Sequence, residues 1–257
     1  MELRIIGKGS PYAGPGEATV GYVVAEESDH LILECGSGVT AKYLQWYDLA
    51  DLKGIVISHL HPDHCADLFP LGFAIKHAQM QGLRTGRVPL YLPPGGVDIF
   101  TDVLASLGGL GAHYSEVFDY HEYGSKEPVA IGQWQVHFCR VYHGMNCHGV
   151  VIEGTKGQRL GYTGDTKMGP VLGDFFQRTD LLLCEATVES EEQGESTGHL
   201  TAEQAGMVAT VAEARQLVLT HFLPGADENE KRLLASRHFS GQIMVAEADK
   251  AYSVGRK

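Results

Sequence analysis

Residues 59–64 read His59-Leu60-His61-Pro62-Asp63-His64. Neutral imidazole nitrogens and a carboxylate oxygen at this spacing are suited to binding a zinc-class cation. The set is too large for one tetrahedral site that must leave a position open for water, and two neighbouring ions would use it better. A solvated histidine-rich loop is the plainer alternative. It fits poorly here, because the cluster directly follows Gly54-Ile55-Val56-Ile57-Ser58, an apolar run that reads as a buried strand.

Ligand-type residues recur at the ends of other apolar segments. His143 follows the segment 133–142, Asp165 sits in Tyr162-Thr163-Gly164-Asp165-Thr166, and His221 follows 216–220. A lone histidine at a strand end is more often structural. The same residue types closing three separate strands are hard to ascribe to accident.

The elements that must position these groups alternate strand and helix. Strands are predicted at 3–6, 20–25, 31–34, 54–58, 88–92, 129–131, 133–142, 149–153, 159–162, 181–184 and 216–220. A final pair is expected at 243–246 and 251–254. Helices are predicted at 39–47, 68–81, 97–107, 202–212 and 229–237. Thr201 followed by Gln204 reads as a capping box at the start of one of them. Strands outnumber helices, and both halves run from strands to helices, which suggests two sheets face to face with helices outside. No composition shift or polar linker divides residues 1–257, so the chain reads as one domain.

Composition narrows the partners. The formal net charge is −12 with no Lys/Arg cluster, which argues against long polyanions such as nucleic acids. No run of 18 apolar residues is present, so no membrane helix is expected, and the N-terminal residues lack the pattern of a signal peptide. The five cysteines, Cys35, Cys65, Cys139, Cys147 and Cys184, are odd in number and form no Cys-x-x-Cys. Reduced thiols in a cytoplasm are the expectation, as small apolar core residues. His77, His113, His121, His137, His148 and His238 read as surface or structural, and Trp46 and Trp134 as packing residues.

In order, the glycine turn Cys35-Gly36-Ser37-Gly38, His-x-His-x-Asp-His, a middle histidine, Gly-Asp-Thr and a late histidine resemble the metallo-β-lactamase superfamily over nearly the whole chain. The resemblance implies a four-layer αββα sandwich with its site at one edge of the paired sheets. It implies a first metal on His59, His61 and His143, a second on Asp63, His64 and His221, and Asp165 bridging them. The ions would be zinc, with manganese or iron accepted by the same ligands. The implied reaction is hydrolysis by a hydroxide bridging two divalent metal ions, with Asp63 orienting it or taking its proton. Where the family often has an aspartate near the first glycine turn, this chain has Glu34.

Within the superfamily, the best match is to the ribonuclease Z-like phosphodiesterase branch. Leu183-Cys184-Glu185-Ala186-Thr187 resembles its Glu-Ala-Thr motif, and Gly198-His199-Leu200-Thr201 its histidine motif. The resemblance makes His199 the general acid that protonates the leaving alkoxide, with Glu185 as its orienting partner. Ribonuclease Z carries a long tRNA-gripping arm, whereas only a short stretch separates His143 from Asp165 here. With the acidic charge, this argues against tRNA and for a small-molecule substrate, a small or cyclic phosphodiester. Homodimers are common in that branch. Two other readings remain open on the same scaffold: a thioester or lactone hydrolase, which would not need a Glu–His proton donor, and a non-catalytic metal-binding protein.

Overall fold

The computed structural model describes residues 1–255. The chain begins with β1 (Glu2–Gly7), β2 (Gly21–Glu26), β3 (Asp29–Cys35), α1 (Val39–Tyr43) and β4 (Leu52–Val56). It continues through α2 (Pro62–Cys65), α3 (Leu68–Met80), β5 (Val88–Leu92), α4 (Gly96–Ser106), α5 (Gly111–Ser115) and β6 (Phe118–Glu122). Next come β7 (Val129–Ile131), β8 (Trp134–Arg140), β9 (His148–Glu153), β10 (Arg159–Tyr162), α6 (Val171–Phe175) and β11 (Leu181–Glu185). The remaining elements are α7 (Glu191–Thr197), α8 (Ala202–Val211), β12 (Gln216–Thr220), α9 (Glu228–Ser236), β13 (Gln242–Val245) and β14 (Ala251–Ser253).

The strands form two seven-stranded mixed sheets, ordered β14-β1-β2-β3-β4-β5-β6 and β13-β12-β11-β10-β9-β8-β7. Each is antiparallel in one half and parallel in the other. The parallel halves are β3 to β6 and β10 to β13.

The layering follows from the two-residue period of a strand. In β2, Tyr22 and Val24 enter the core between the sheets, while Val23 joins the core under the helices. In β3, Leu31 and Leu33 face inward and Ile32 outward. The second sheet repeats this: Leu181, Leu183 and Val218 fill the inner core, and Leu182, Cys184, Leu217 and Leu219 the outer one. Strands apolar on both faces must be covered on both. Helices α1, α3, α4 and α5 cover the first sheet, and α6, α8 and α9 the second. This is the expected four-layer αββα sandwich.

Several local expectations need correction. The last two strands do not pair with each other: β13 adds to β12 and β14 to β1, in different sheets. The helix expected over 39–47 ends at Tyr43, and β6 was not foreseen, its Phe-Asp-Tyr-His-Glu being half polar at a sheet edge. Trp134 is buried, but Trp46 is half exposed, with the Arg4 guanidinium 4.2 Å above its ring.

Candidate metal centre

Neighbouring parallel strands end at the same edge of a sheet, which is where ligand sites form in such sheets. Strand β4 leads through Ile57 and Ser58 into His59. His61 is the N-cap of α2, whose first residue is Pro62, and Asp63 and His64 lie in its single turn. In the second sheet β10 leads to Asp165, β11 ends on Glu185, and β12 leads to His221. His143 lies beyond the end of β8, and His199 between α7 and α8.

Two backbone features shape this edge. A Cβ on Gly36 would lie 1.8 Å from the carbonyl oxygen of Asp63, so glycine is required for this close approach. Glu34 and His221 both adopt left-handed backbone, at φ 66° and 65°. Strain of this kind in ordinary residues persists only where surrounding structure enforces it.

The ligand-type atoms converge. Those of His59, His61, His143 and Asp165 lie within 4.8 Å of one another. So do those of Asp63, His64 and His221, and those of Asp165, His199 and His221. Asp165 Oδ2 is 3.3 Å from His64 Nε2 and 3.6 Å from His59 Nε2, while its Oδ1 is 3.1 Å from His221 Nε2. All seven predicted ligands are thus gathered in one place.

The imidazoles fit metal ions on a physical test. His143 Nδ1 lies 2.9 Å from the Gly198 carbonyl, which can only accept, so its proton is on Nδ1. His143 Nε2 then presents a lone pair toward His61 Nδ1 at 3.3 Å, and that atom lies 3.0 Å from His59 Nε2. His64 Nε2 and His221 Nε2 face each other at 3.1 Å. The inward ring nitrogens thus crowd one another across three contacts, and Asp165 Oδ1 is buried without a hydrogen-bond partner. Cations at the centre would take up these lone pairs.

The electrostatics agree for two of the rings, His59 and His61. Burial and the neighbouring imidazoles hold His59 well below the ordinary histidine range, and His61 below it, so both are neutral and ligand-ready. Burial pulls His64 down too, but Asp165 and Glu34 outweigh it and leave the ring raised well above that range. Burial raises Asp165, yet His221, His64 and His59 drive it well below a normal carboxyl.

Outer partners hold these groups. Glu34 accepts the Ser58 N–H at 3.1 and 3.2 Å and lies 3.6 Å from His64 Nδ1. Ser58 Oγ is 3.0 Å from His59 Nδ1, and Ser10 Oγ donates to Asp63 Oδ2 at 2.9 Å. Cys147 Sγ is 3.6 Å from His59 Nδ1, and burial pushes its thiol well up, which keeps it protonated. Ser10 and Ser58 carried no recognisable sequence signal. Thr166 and Thr187 did, as the last residues of the Gly-Asp-Thr and Glu-Ala-Thr motifs.

Beside the cluster, His199 Nδ1 is 3.0 Å from Glu185 Oε1, which also accepts the Thr166 N–H at 2.7 Å. Burial lowers the His199 imidazolium, but the hydrogen bond and charge of Glu185 overcome this and push it up to about 9. Thr201 and Gln204 form the expected capping box at the start of α8, so His199 is not needed to cap that helix. A cavity of about 440 Å³ between the segment 44–51 and α3 contains none of these residues. One of about 300 Å³ borders His143 and Gly198, with Tyr142 and Lys167 on its walls.

The Beta-lactamase superfamily domain matches residues 31–222. An uncharacterized protein of Mycobacterium tuberculosis is 28% identical over 264 residues, covering 100% of this chain and 93% of its own length. Probable metallo-hydrolase YhfI of Bacillus subtilis is 27% identical, over 96% of this chain and 98% of the relative. Ribonuclease Z of Nocardia farcinica is 26% identical, over 96% and 95%. The crystal structure of YhfI superposes with a TM-score of 0.90 at 25% identity, covering 99% of each chain. A diphosphatase of the PhnP family shares the fold, with a TM-score of 0.76 at 16% identity over 98% of this chain and 97% of its own.

Proposed function

Because the chain belongs to the beta-lactamase superfamily, whose relatives here include a metallo-hydrolase, we propose that it is a phosphodiesterase acting on a small phosphodiester with two divalent metal ions. His59, His61 and His143 would hold one ion, Asp63, His64 and His221 the other, with Asp165 shared, and residues 1–257 would act as one hydrolase domain. Zinc suits this imidazole-rich set best. Such ions supply a water that ionises near neutral pH and positive charge opposite the phosphoryl oxygens.

The observation that carries the phosphodiesterase reading is the Glu185–His199 pair beside the cluster. The alkoxide departing a phosphodiester is a poor leaving group and needs a proton. With Nδ1 held by Glu185, His199 would deliver that proton from Nε2. Asp63, steadied by the Ser10 hydroxyl, would orient the attacking water or accept its proton. A thioester hydrolase has no comparable need for this donor, because thiolate departs readily.

Small size is favoured by the stretch between His143 and Asp165, which holds only the β9–β10 hairpin, and by the net charge of −12. Among the proteins that share the fold, the PhnP-family diphosphatase is in keeping with a phosphate-bearing substrate, while the acidic charge argues against the RNA implied by the name ribonuclease Z. The five free cysteines fit a reducing cytoplasm. Among the described residues no helix is long and apolar enough to cross a membrane.

The test is a panel of bis(p-nitrophenyl) phosphate, 2′,3′- and 3′,5′-cyclic nucleotides and a simple thioester, with the zinc- or manganese-loaded protein and its His199→Ala variant. Cyclic-nucleotide turnover that collapses in the variant supports the proposal. Thioester turnover indifferent to the variant overturns it in favour of the other hydrolase class, and no turnover of any substrate favours a metal-binding role.

A further inference from the structure

Thr187 touches both the proposed proton-donor pair and a proposed metal ligand. Its Oγ1 lies 2.6 Å from Glu185 Oε2, 2.7 Å from His221 Nδ1 and 3.0 Å from the His221 carbonyl oxygen. All three residues are buried. A hydroxyl carries one hydrogen and can accept through its lone pairs. The ionised carboxylate, at the shortest distance, takes that hydrogen in a charge-assisted bond. Thr187 Oγ1 therefore accepts from His221, and the His221 proton must sit on Nδ1.

We infer that Thr187 is a positioning residue that fixes the tautomer of His221, so that His221 Nε2 is a lone-pair donor toward the second metal position. This rests on the two-ion reading above. The hydroxyl also connects the two halves of the site. Glu185 Oε2 accepts from Thr187, while Glu185 Oε1 accepts from Thr166 and His199. One carboxylate thus steadies the proton donor directly and the metal ligand through Thr187.

Thr187 is itself held firmly. The buried Lys231 ammonium on α9 donates to the carbonyl oxygens of Thr187 at 3.3 Å and Val188 at 3.2 Å, and pairs with Glu189 at 2.8 Å. The Val188 N–H donates to the Leu200 carbonyl. The backbone at 187 therefore has little freedom to move the hydroxyl away. His221 contributes by its left-handed backbone, which turns both its ring and its carbonyl oxygen toward Thr187. A merely space-filling Thr187 would need only its shape, and valine has that shape without the hydroxyl.

The experiment titrates metal-free protein with Co(II), following visible absorption and heat of binding, for the unsubstituted chain, Thr187→Val and Thr187→Ser. Removing a partner of this kind weakens metal affinity by about 10–100-fold. The expectation is that valine weakens the second equivalent by that factor, leaves the first unchanged, and that serine restores the second. Diester turnover in the valine variant should recover as metal is raised. A valine variant that binds both equivalents with unaltered affinity and spectrum overturns the inference. Long-range ¹H–¹⁵N spectra of the unsubstituted metal-free protein test it without any substitution: a His221 proton on Nδ1 supports it, and one on Nε2 overturns it. If the unsubstituted chain takes up a single ion, the two-ion reading fails, and this inference with it; loss of diesterase activity alone bears on the substrate, not on Thr187.

Discussion

His199 Nδ1 and Glu185 Oε1 are 3.0 Å apart, and the carboxylate that holds the ring has no freedom to turn away. Its two oxygens are engaged by the Thr166 N–H and the Thr187 hydroxyl. This contact joins the end of β11 to the turn between α7 and α8.

From that contact comes a leaving-group test. His199→Ala should lower turnover of a 3′,5′-cyclic nucleotide by about 10²–10⁴-fold. The loss on bis(p-nitrophenyl) phosphate should be smaller, because nitrophenolate departs without help. Metal content should stay at the unsubstituted level. Equal losses on both diesters would count against proton donation by His199.

A second prediction concerns pH. Glu185 holds the His199 proton up to about 9, and the protonated ring is the competent acid. The rate should therefore fall as pH rises through the His199 value. In Glu185→Gln the favourable negative charge is gone, the imidazolium loses its proton more easily, and the alkaline limb of the kcat profile should move to lower pH. An unmoved limb would assign it to another group.

Asp165→Ala removes the carboxylate that lies 3.3 Å from His64 Nε2 and 3.1 Å from His221 Nε2. Metal analysis after dialysis should find fewer equivalents than in the unsubstituted protein, and hydrolysis of any substrate should drop to background. Unchanged stoichiometry would rule out a shared ligand.

Gly36→Ala tests the approach of the two chain segments. The added methyl meets the Asp63 carbonyl oxygen at 1.8 Å and Thr19 Oγ1 at 2.2 Å, and the first of these is backbone. The segment carrying His59 to His64 must shift. We expect a loss of about 1–3 kcal/mol or more in urea unfolding, together with reduced metal uptake. A fully stable, metal-replete variant would show that the loop relaxes freely.

Chemistry was most legible where it was local in the chain. The six residues from His59 to His64 announce themselves because an apolar strand delivers four ligand types in one turn. Asp165 and His221 were readable for the same reason, each closing a β-rich run. Ser10 was not, because its contact with Asp63 spans 53 positions and depends on how the loop after β1 folds back. The separation of β13 from β14 was equally hidden. Two apolar segments a few residues apart look like a hairpin, and only the identity of their partners, β12 and β1, sends them to opposite sheets. Trp46 misled because its size suggests burial, whereas its indole N–H reaches Asp249 at the surface.

The distribution of the proposed ligand residues over both sheets also bears on how the protein would acquire metal ions during synthesis. His59, His61, Asp63 and His64 emerge early and close together, while His143, Asp165 and His221 arrive from the second sheet. The complete cage exists only after two sheets, distant in sequence, have docked, a late event in folding governed by non-local contacts. On the two-ion proposal, metal capture would come at the end of folding rather than at its nucleation, and loading would act as a checkpoint on an assembled scaffold.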